Sequence, residues 1–157
     1  MKKQKVIALV AHDNRKKDMI EWASFNWKEL IPHKLICTGT TGKLLTEALH
    51  KKAEENNMVC PEIKRLKSGP LGGDQQLGAM ICEEAVDVLI FFWDPMQAQP
   101  HDVDVKALLR ISTLYNIPSA YNRSSADFII SSHLFHEEYS PIKKDYSEYI
   151  SRNLEND

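Results

Sequence analysis

No apolar run in the chain approaches the roughly 20 residues that a membrane-spanning helix needs. The apolar stretch behind the basic start MKKQK, Val6–Ala11, ends at His12 and Asp13. It is too short for the hydrophobic region of a signal peptide and lacks a small-residue cleavage site. A cytoplasmic protein with no membrane partner is expected. Cysteine is scarce: Cys37, Cys60 and Cys82 are odd in number, far apart and form no CxxC pair. That argues against a disulfide framework and for reduced thiols. Charge of one sign is lacking too, because 20 basic side chains face 22 acidic ones and leave a net charge of −2. This balance gives no electrostatic case for nucleic acid as a partner. The nucleotide-binding spacings GxGxxG and GxxxxGK before Ser or Thr are missing, and so is the metalloprotease HExxH. Internal repeats, linkers and low-complexity segments are absent, so residues 1–157 read as one domain.

What is present is an alternation of strands and helices. Val6–Ala11 (VIALVA) and 86–92 (VDVLIFF) are the continuous apolar runs of strands buried on both faces. Residues 35–38, Ile63–Leu66 and 117–121 read as shorter strands. Between them apolar residues recur at helical spacing, as Met19, Ile20, Ala23, Trp27 and Leu30 do within 14–31. Further helices are expected through 44–49, 75–85, 103–115, 125–134 and 146–154. The pattern predicts an α/β fold, a single-domain three-layer sandwich. Its sheet should be five-stranded, mainly parallel and doubly wound, of the Rossmann or flavodoxin-like kind.

In such sheets ligands bind where the carboxyl ends of strands run into helices. The loops expected at that edge are AHDNRK (11–16), TGTTGK (38–43), KSGPLGGDQQ (67–76), WDPMQAQPHDVD (93–104) and NRSSAD (122–127). Nearly every chemically capable side chain of the chain falls in them. TGTTGK places Thr38, Gly39, Thr40 and Thr41 before a helix, where backbone N–H groups and hydroxyls favour a bound phosphate. Thr40 or Thr41 would also suit plain N-capping. Ser68 and Gly69 add a hydroxyl and a backbone donor, and Lys16 could supply a positive charge. Asp13, Asp74, Asp94, Asp102 and Asp104 gather near strand ends, with Asp102 suited to cap the helix after it. Carboxylates that crowd together away from water are pushed up in pKa, which makes a base useful near neutral pH. His12 and His101 each precede an aspartate, and an imidazole beside a carbonyl oxygen can donate a hydrogen bond and shuttle a proton. The same His and Asp residues could instead hold a divalent metal, as in a metal-dependent phosphatase.

These motifs resemble the methylglyoxal synthase family over nearly the whole chain. The resemblance is carried by ALVAHD (8–13), TGTTG (38–42), SGPLGGDQQ (68–76), VLIFFWDP (88–95), QPHDVDVKALLR (99–110) and NIPSAYN (116–122). It implies conversion of dihydroxyacetone phosphate to methylglyoxal and inorganic phosphate, through an enediolate, without metal or organic cofactor. A homohexamer inhibited by inorganic phosphate is implied as well. Position by position, Asp74 matches the catalytic base and His101 the residue facing the substrate carbonyl, with Asp94 and Asp104 as accompanying catalytic acids. His12, Asp13, Lys16, Thr38, Gly39, Thr40, Thr41, Ser68 and Gly69 match substrate- and phosphate-binding positions. The segment 51–67 is longer and more polar than most members carry, and the tail from Ser131 is only loosely similar; there Arg152 could reach a neighbouring subunit. The fold also resembles the allosteric domain of carbamoyl phosphate synthetase, so a phosphate-sensing regulatory domain is the alternative beside the phosphatase. Asp74 falls where an N-cap is expected, yet a carboxylate bonded to helix N–H groups makes a poor base. As the base it must turn toward the other loops.

Overall fold

In the computed structural model, which describes residues 1–97 and 102–151, five parallel strands form one sheet in the order β3-β2-β1-β4-β5. They are β1 Val6–Ala11, β2 Lys34–Thr38, β3 Ile63–Leu66, β4 Val88–Phe92 and β5 Ser119–Ala120. The helices are α1 Lys16–Phe25, α2 Trp27–Leu30, α3 Gly39–Glu55, α4 Gly73–Cys82, α5 Asp102–Leu114, α6 Arg123–Ser131 and α7 Ser147–Ile150. Side-chain alternation along the central strands explains the three layers. Ile7 and Leu9 of β1 and Val88, Ile90 and Phe92 of β4 pack with Trp22 of α1 and Leu45 and Leu49 of α3. Ala8 and Val10 of β1 and Leu89 and Phe91 of β4 turn the other way, onto Leu77 and Ile81 of α4 and Val105 and Leu108 of α5. Both faces are sealed, so these strands are apolar without interruption. Trp22 is fully buried, and its indole N–H finds a partner in Asp127 Oδ1 on α6 at 2.7 Å. No described helix is long and apolar enough to cross a membrane.

Several boundaries differ from the sequence expectation, and three of the differences bear on the site or the packing. The helix expected over 14–31 is broken into a 3-10 turn at Asp13–Arg15, then α1 and α2. Asn26 stands at the break, leaving the helical region at φ −92° and ψ 20° while its Nδ2 donates to the Trp22 carbonyl at 3.0 Å. Such a local side-chain bond offers the backbone an alternative to the helical ladder. β5 begins only at Ser119, because Pro118 before it accepts the Leu89 N–H at 3.0 Å but has no N–H of its own to extend the ladder, and it ends at Ala120. α3 starts within TGTTG and runs to Glu55, so residues 51–55 belong to its end, with Lys51, Glu54 and Glu55 exposed and Ala53 buried.

Cys37 lies buried on β2, and burial pushes its thiol up to about 12, whereas Cys60 and Cys82 are exposed. The thiolate is the reactive form. A chromogenic disulfide reagent near pH 8 should therefore count two thiols in the native protein and three after unfolding. A third fast native thiol would contradict the placement of Cys37.

Candidate active site

The loops after β1, β2 and β3 close around one cavity of about 70 Å³ at the carboxyl edge of the sheet. His12, Asp13 and Lys16 line it from the β1 side, Thr38, Gly39, Thr40 and Thr41 from the start of α3, and Ser68, Gly69 and Asp74 from the β3–α4 connection. Phe91 of β4 adds an apolar wall.

Two loops are pressed together to build this cavity. Gly39 has φ +43°, and a Cβ there would sit 2.9 Å from Ser68 Cα, closer than side chains tolerate. The Gly39 N–H donates to the Lys67 carbonyl at 3.2 Å, tying the two loops. The first turn of the 17-residue α3 thus opens on the cavity with the partial positive charge of a helix N-terminus. Thr38 holds the N-cap position but makes no side-chain cap bond. Thr40 Oγ1 instead accepts from Lys16 Nζ at 2.6 Å, and the same ammonium reaches Asp13 Oδ1 at 2.5 Å. Of the threonines, Thr40 is thus paired with a lysine and lies inside the helix, not at its cap.

Asp74 is buried, with 6% of its surface exposed. The N-cap position expected for it belongs to Gly72, whose φ of +95° suits glycine, and Asp74 lies two residues further on, in the first turn of α4. It lines the cavity together with the loops after β1 and β2.

Asp94 and Asp104 lie outside the cavity lining. Asp104 is half-buried in the first turn of α5. Asp94 is buried just after β4, where Oδ1 accepts from the Met96 N–H at 3.0 Å and Oδ2 from Asn14 Nδ2 at 3.1 Å. These bonds, the backbone one foremost, hold its carboxyl below the usual carboxylate range. Its own N–H donates to His12 Nδ1 at 3.2 Å. His101 and Arg152 lie outside the described residues. Asn14 was not singled out in the sequence: it sits in AHDNRK, but its partner Asp94 is 80 positions away, and no spacing rule connects them. Among the described residues, no three His, Cys, Asp or Glu side chains gather as a metal-holding group.

A family model described as an MGS-like domain matches residues 18–121. The chain is 56% identical to a methylglyoxal synthase of Maridesulfovibrio salexigens, over 98% of this chain and 100% of that one. It is 50% identical to a methylglyoxal synthase of Proteus mirabilis, over 96% and 93% respectively. The crystal structure of methylglyoxal synthase from Elizabethkingia anophelis NUHP1 matches the fold with a TM-score of 0.85, at 46% identity, over 100% of this chain and 97% of that one. With sequence and fold agreeing along essentially the whole length, the chain belongs to the methylglyoxal synthase family.

Proposed function

We propose that the protein is a methylglyoxal synthase, converting dihydroxyacetone phosphate to methylglyoxal and inorganic phosphate. The observation that carries this reading is one cavity in which a buried carboxylate, Asp74, meets the Lys16 ammonium, threonine and serine hydroxyls and a helix N-terminus. The first set of groups suits proton abstraction and the second suits a phosphate.

In this reading Asp74 takes a proton from the hydroxymethyl carbon, and the C–H electron pair becomes the carbon–carbon double bond of an enediolate. The former ketone oxygen takes up the negative charge. His101 is assigned to that oxygen, where a preorganised donor is worth roughly 10²–10³ in rate. The proton of the adjacent hydroxyl passes to the former ketone oxygen, the double bond shifts, and the C–O bond to phosphate breaks with its electrons leaving on the phosphate. The enol so formed ketonises to methylglyoxal. Expulsion requires that C–O bond to stand out of the enediolate plane, overlapping its π electrons. Held in the plane, the same intermediate would be reprotonated to an isomer. Lys16, Thr38, Thr40, Thr41, Ser68 and the Gly39 and Gly69 backbones are assigned to the phosphate, neutralising the leaving group and fixing that torsion. His12 and Asp13 complete the substrate site. Asp94 and Asp104 support it from outside the lining.

Incubation with dihydroxyacetone phosphate, followed by identification of the carbon product, tests the reading. Methylglyoxal is expected, with or without a chelator. Dihydroxyacetone formed in a chelator-sensitive way would make the protein a phosphatase, and phosphate binding without turnover would make it a sensor. Lys16→Ala should raise KM and weaken inorganic phosphate binding by roughly 10- to 100-fold, the worth of a charge-assisted hydrogen bond. Unchanged phosphate affinity would remove Lys16 from the cradle. The reading extends to a cytoplasmic homohexamer inhibited by phosphate, which sedimentation and phosphate titration of the rate would check.

A further inference from the structure

His12 is 5% exposed and held from behind at several points. Its backbone N–H donates to the Phe92 carbonyl at 3.2 Å, carrying the contact between β1 and β4 one residue past the strand end. Its ring meets Phe91 edge to face, with centroids 5.1 Å apart at 80°. Its Nδ1 accepts the Asp94 N–H at 3.2 Å. An imidazole nitrogen that accepts a hydrogen bond carries no proton, so the one proton of the neutral ring belongs on Nε2.

The Asp94 N–H is itself fixed by a bridge between the loops after β1 and β4. Asn14 Nδ2 donates to Asp94 Oδ2 at 3.1 Å and to Gln97 Oε1 at 2.7 Å, while Asp94 Oδ1 accepts the Met96 N–H at 3.0 Å. His33, elsewhere in the chain, repeats the arrangement: it is buried and accepts the Lys5 N–H at Nδ1 at 3.1 Å. Burial, followed by the nearby Lys5 charge, pushes its pKa down to about 4.

We propose that the Asn14–Asp94–Gln97 bridge holds His12 as a neutral imidazole protonated at Nε2, so that His12 acts on the bound substrate as a hydrogen-bond donor and not as a cation. Asn14 and Asp94 are then positioning residues. The charged groups around the ring pull in both directions. Asp13 and Asp74 share its cavity and favour imidazolium, while Lys16 in the cavity and Arg15 in the adjoining turn oppose it. The backbone decides between them, because a proton on Nδ1 would set two N–H donors against each other. The positive charge of the described cavity lining then rests on Lys16. This role for His12 rests on the function proposed above.

Nitrogen–proton correlation spectra of the full chain with isotope-labelled histidine, recorded without substrate from about pH 5.5 to 8.5, test the tautomer. The His12 signals are identified by their loss in His12→Gln. They should keep the neutral Nε2–H pattern throughout in the wild-type protein. In Asn14→Ala the ring should begin to titrate near its ordinary value of about 6.5. That variant's kcat/KM should drop about tenfold with a new decline on the acid side, in the range where His12 becomes charged. Wild-type imidazolium at pH 6.5, or an Nδ1–H ring, would overturn the proposal. Lower activity in Asn14→Ala with unchanged spectra and pH profile would overturn the part of the bridge. A chain that failed to make methylglyoxal would defeat the functional reading while leaving the resting tautomer as measured.

Discussion

Asp74→Asn should abolish methylglyoxal formation while leaving inorganic phosphate bound. Asparagine keeps the size of aspartate and fits the same place in the first turn of α4, but its amide cannot take a proton from carbon. A positioned general base contributes roughly 10²–10⁴ in rate, and the upper part of that range is expected because no second buried carboxylate lines the described cavity. Loss of the charge beside a helix N-terminus costs only about 0.3–1 kcal/mol, so the fold should persist. Calorimetric titration with phosphate should give nearly wild-type affinity. A second readout isolates the first step: exchange of the hydroxymethyl hydrogen with deuterated solvent should vanish together with turnover. A variant that exchanges that hydrogen at the wild-type rate would put the base elsewhere, whatever its rate of product formation.

The parts of the fold that could be read from the sequence were those whose local pattern and tertiary setting agree. VIALVA and VLIFF are apolar because helices cover both faces of β1 and β4, and the same burial makes them legible. The loops at the carboxyl edge were legible for a related reason, since parallel topology gathers them wherever the strands lie. What was hidden depends on contacts between distant segments. Glycine and threonine are weak helix formers, so nothing local puts the start of α3 at Gly39. The approach of Ser68 and the bond to Lys67 do that. Asp94 read as one more acid of the site, because its residue type is visible in the sequence and its bonds to Asn14, Met96 and His12 are not. Asp74 reads as an N-cap by residue type, but the left-handed backbone of Gly72, which the sequence does not display, takes that position two residues earlier.

Gly73→Ala should damage the site about as severely as loss of a catalytic group, by a different route. A Cβ on Gly73 would lie 2.1 Å from the Lys67 carbonyl oxygen and 3.0 Å from the Ser68 carbonyl carbon, where ordinary contact begins at 3.4 Å. The Lys67 carbonyl must therefore move by more than roughly 1 Å, and it is not at liberty to do so alone. It accepts the Gly39 N–H at 3.2 Å, while the Lys67 N–H is bound to Gln76 Oε1 at 2.9 Å. Ser68, next in the chain, accepts the N–H groups of Leu71 and Gly73 through its carbonyl at 3.0 and 2.9 Å. Any shift passes to Ser68 and Gly69 on one side and to the start of α3 on the other, which together line the proposed phosphate cradle. Misplacement by about 1 Å costs on the order of 10² in rate, so kcat/KM should fall at least that far. Phosphate affinity should fall with it, unlike in Asp74→Asn. The affected backbone lies at the sheet edge and not between the layers, so the melting temperature should drop by only a few degrees, about 2–4 °C for each kcal/mol of strain. Gly78→Ala in the same helix is the control. Its Cβ would meet nothing nearer than Ile111 Cδ1 at 3.8 Å, and replacing a helical glycine gains up to about 1 kcal/mol. Wild-type kcat/KM in Gly73→Ala would mean that the β3–α4 loop can yield without disturbing the cradle, and the tie from Lys67 to Gly39 would then have no part in holding phosphate.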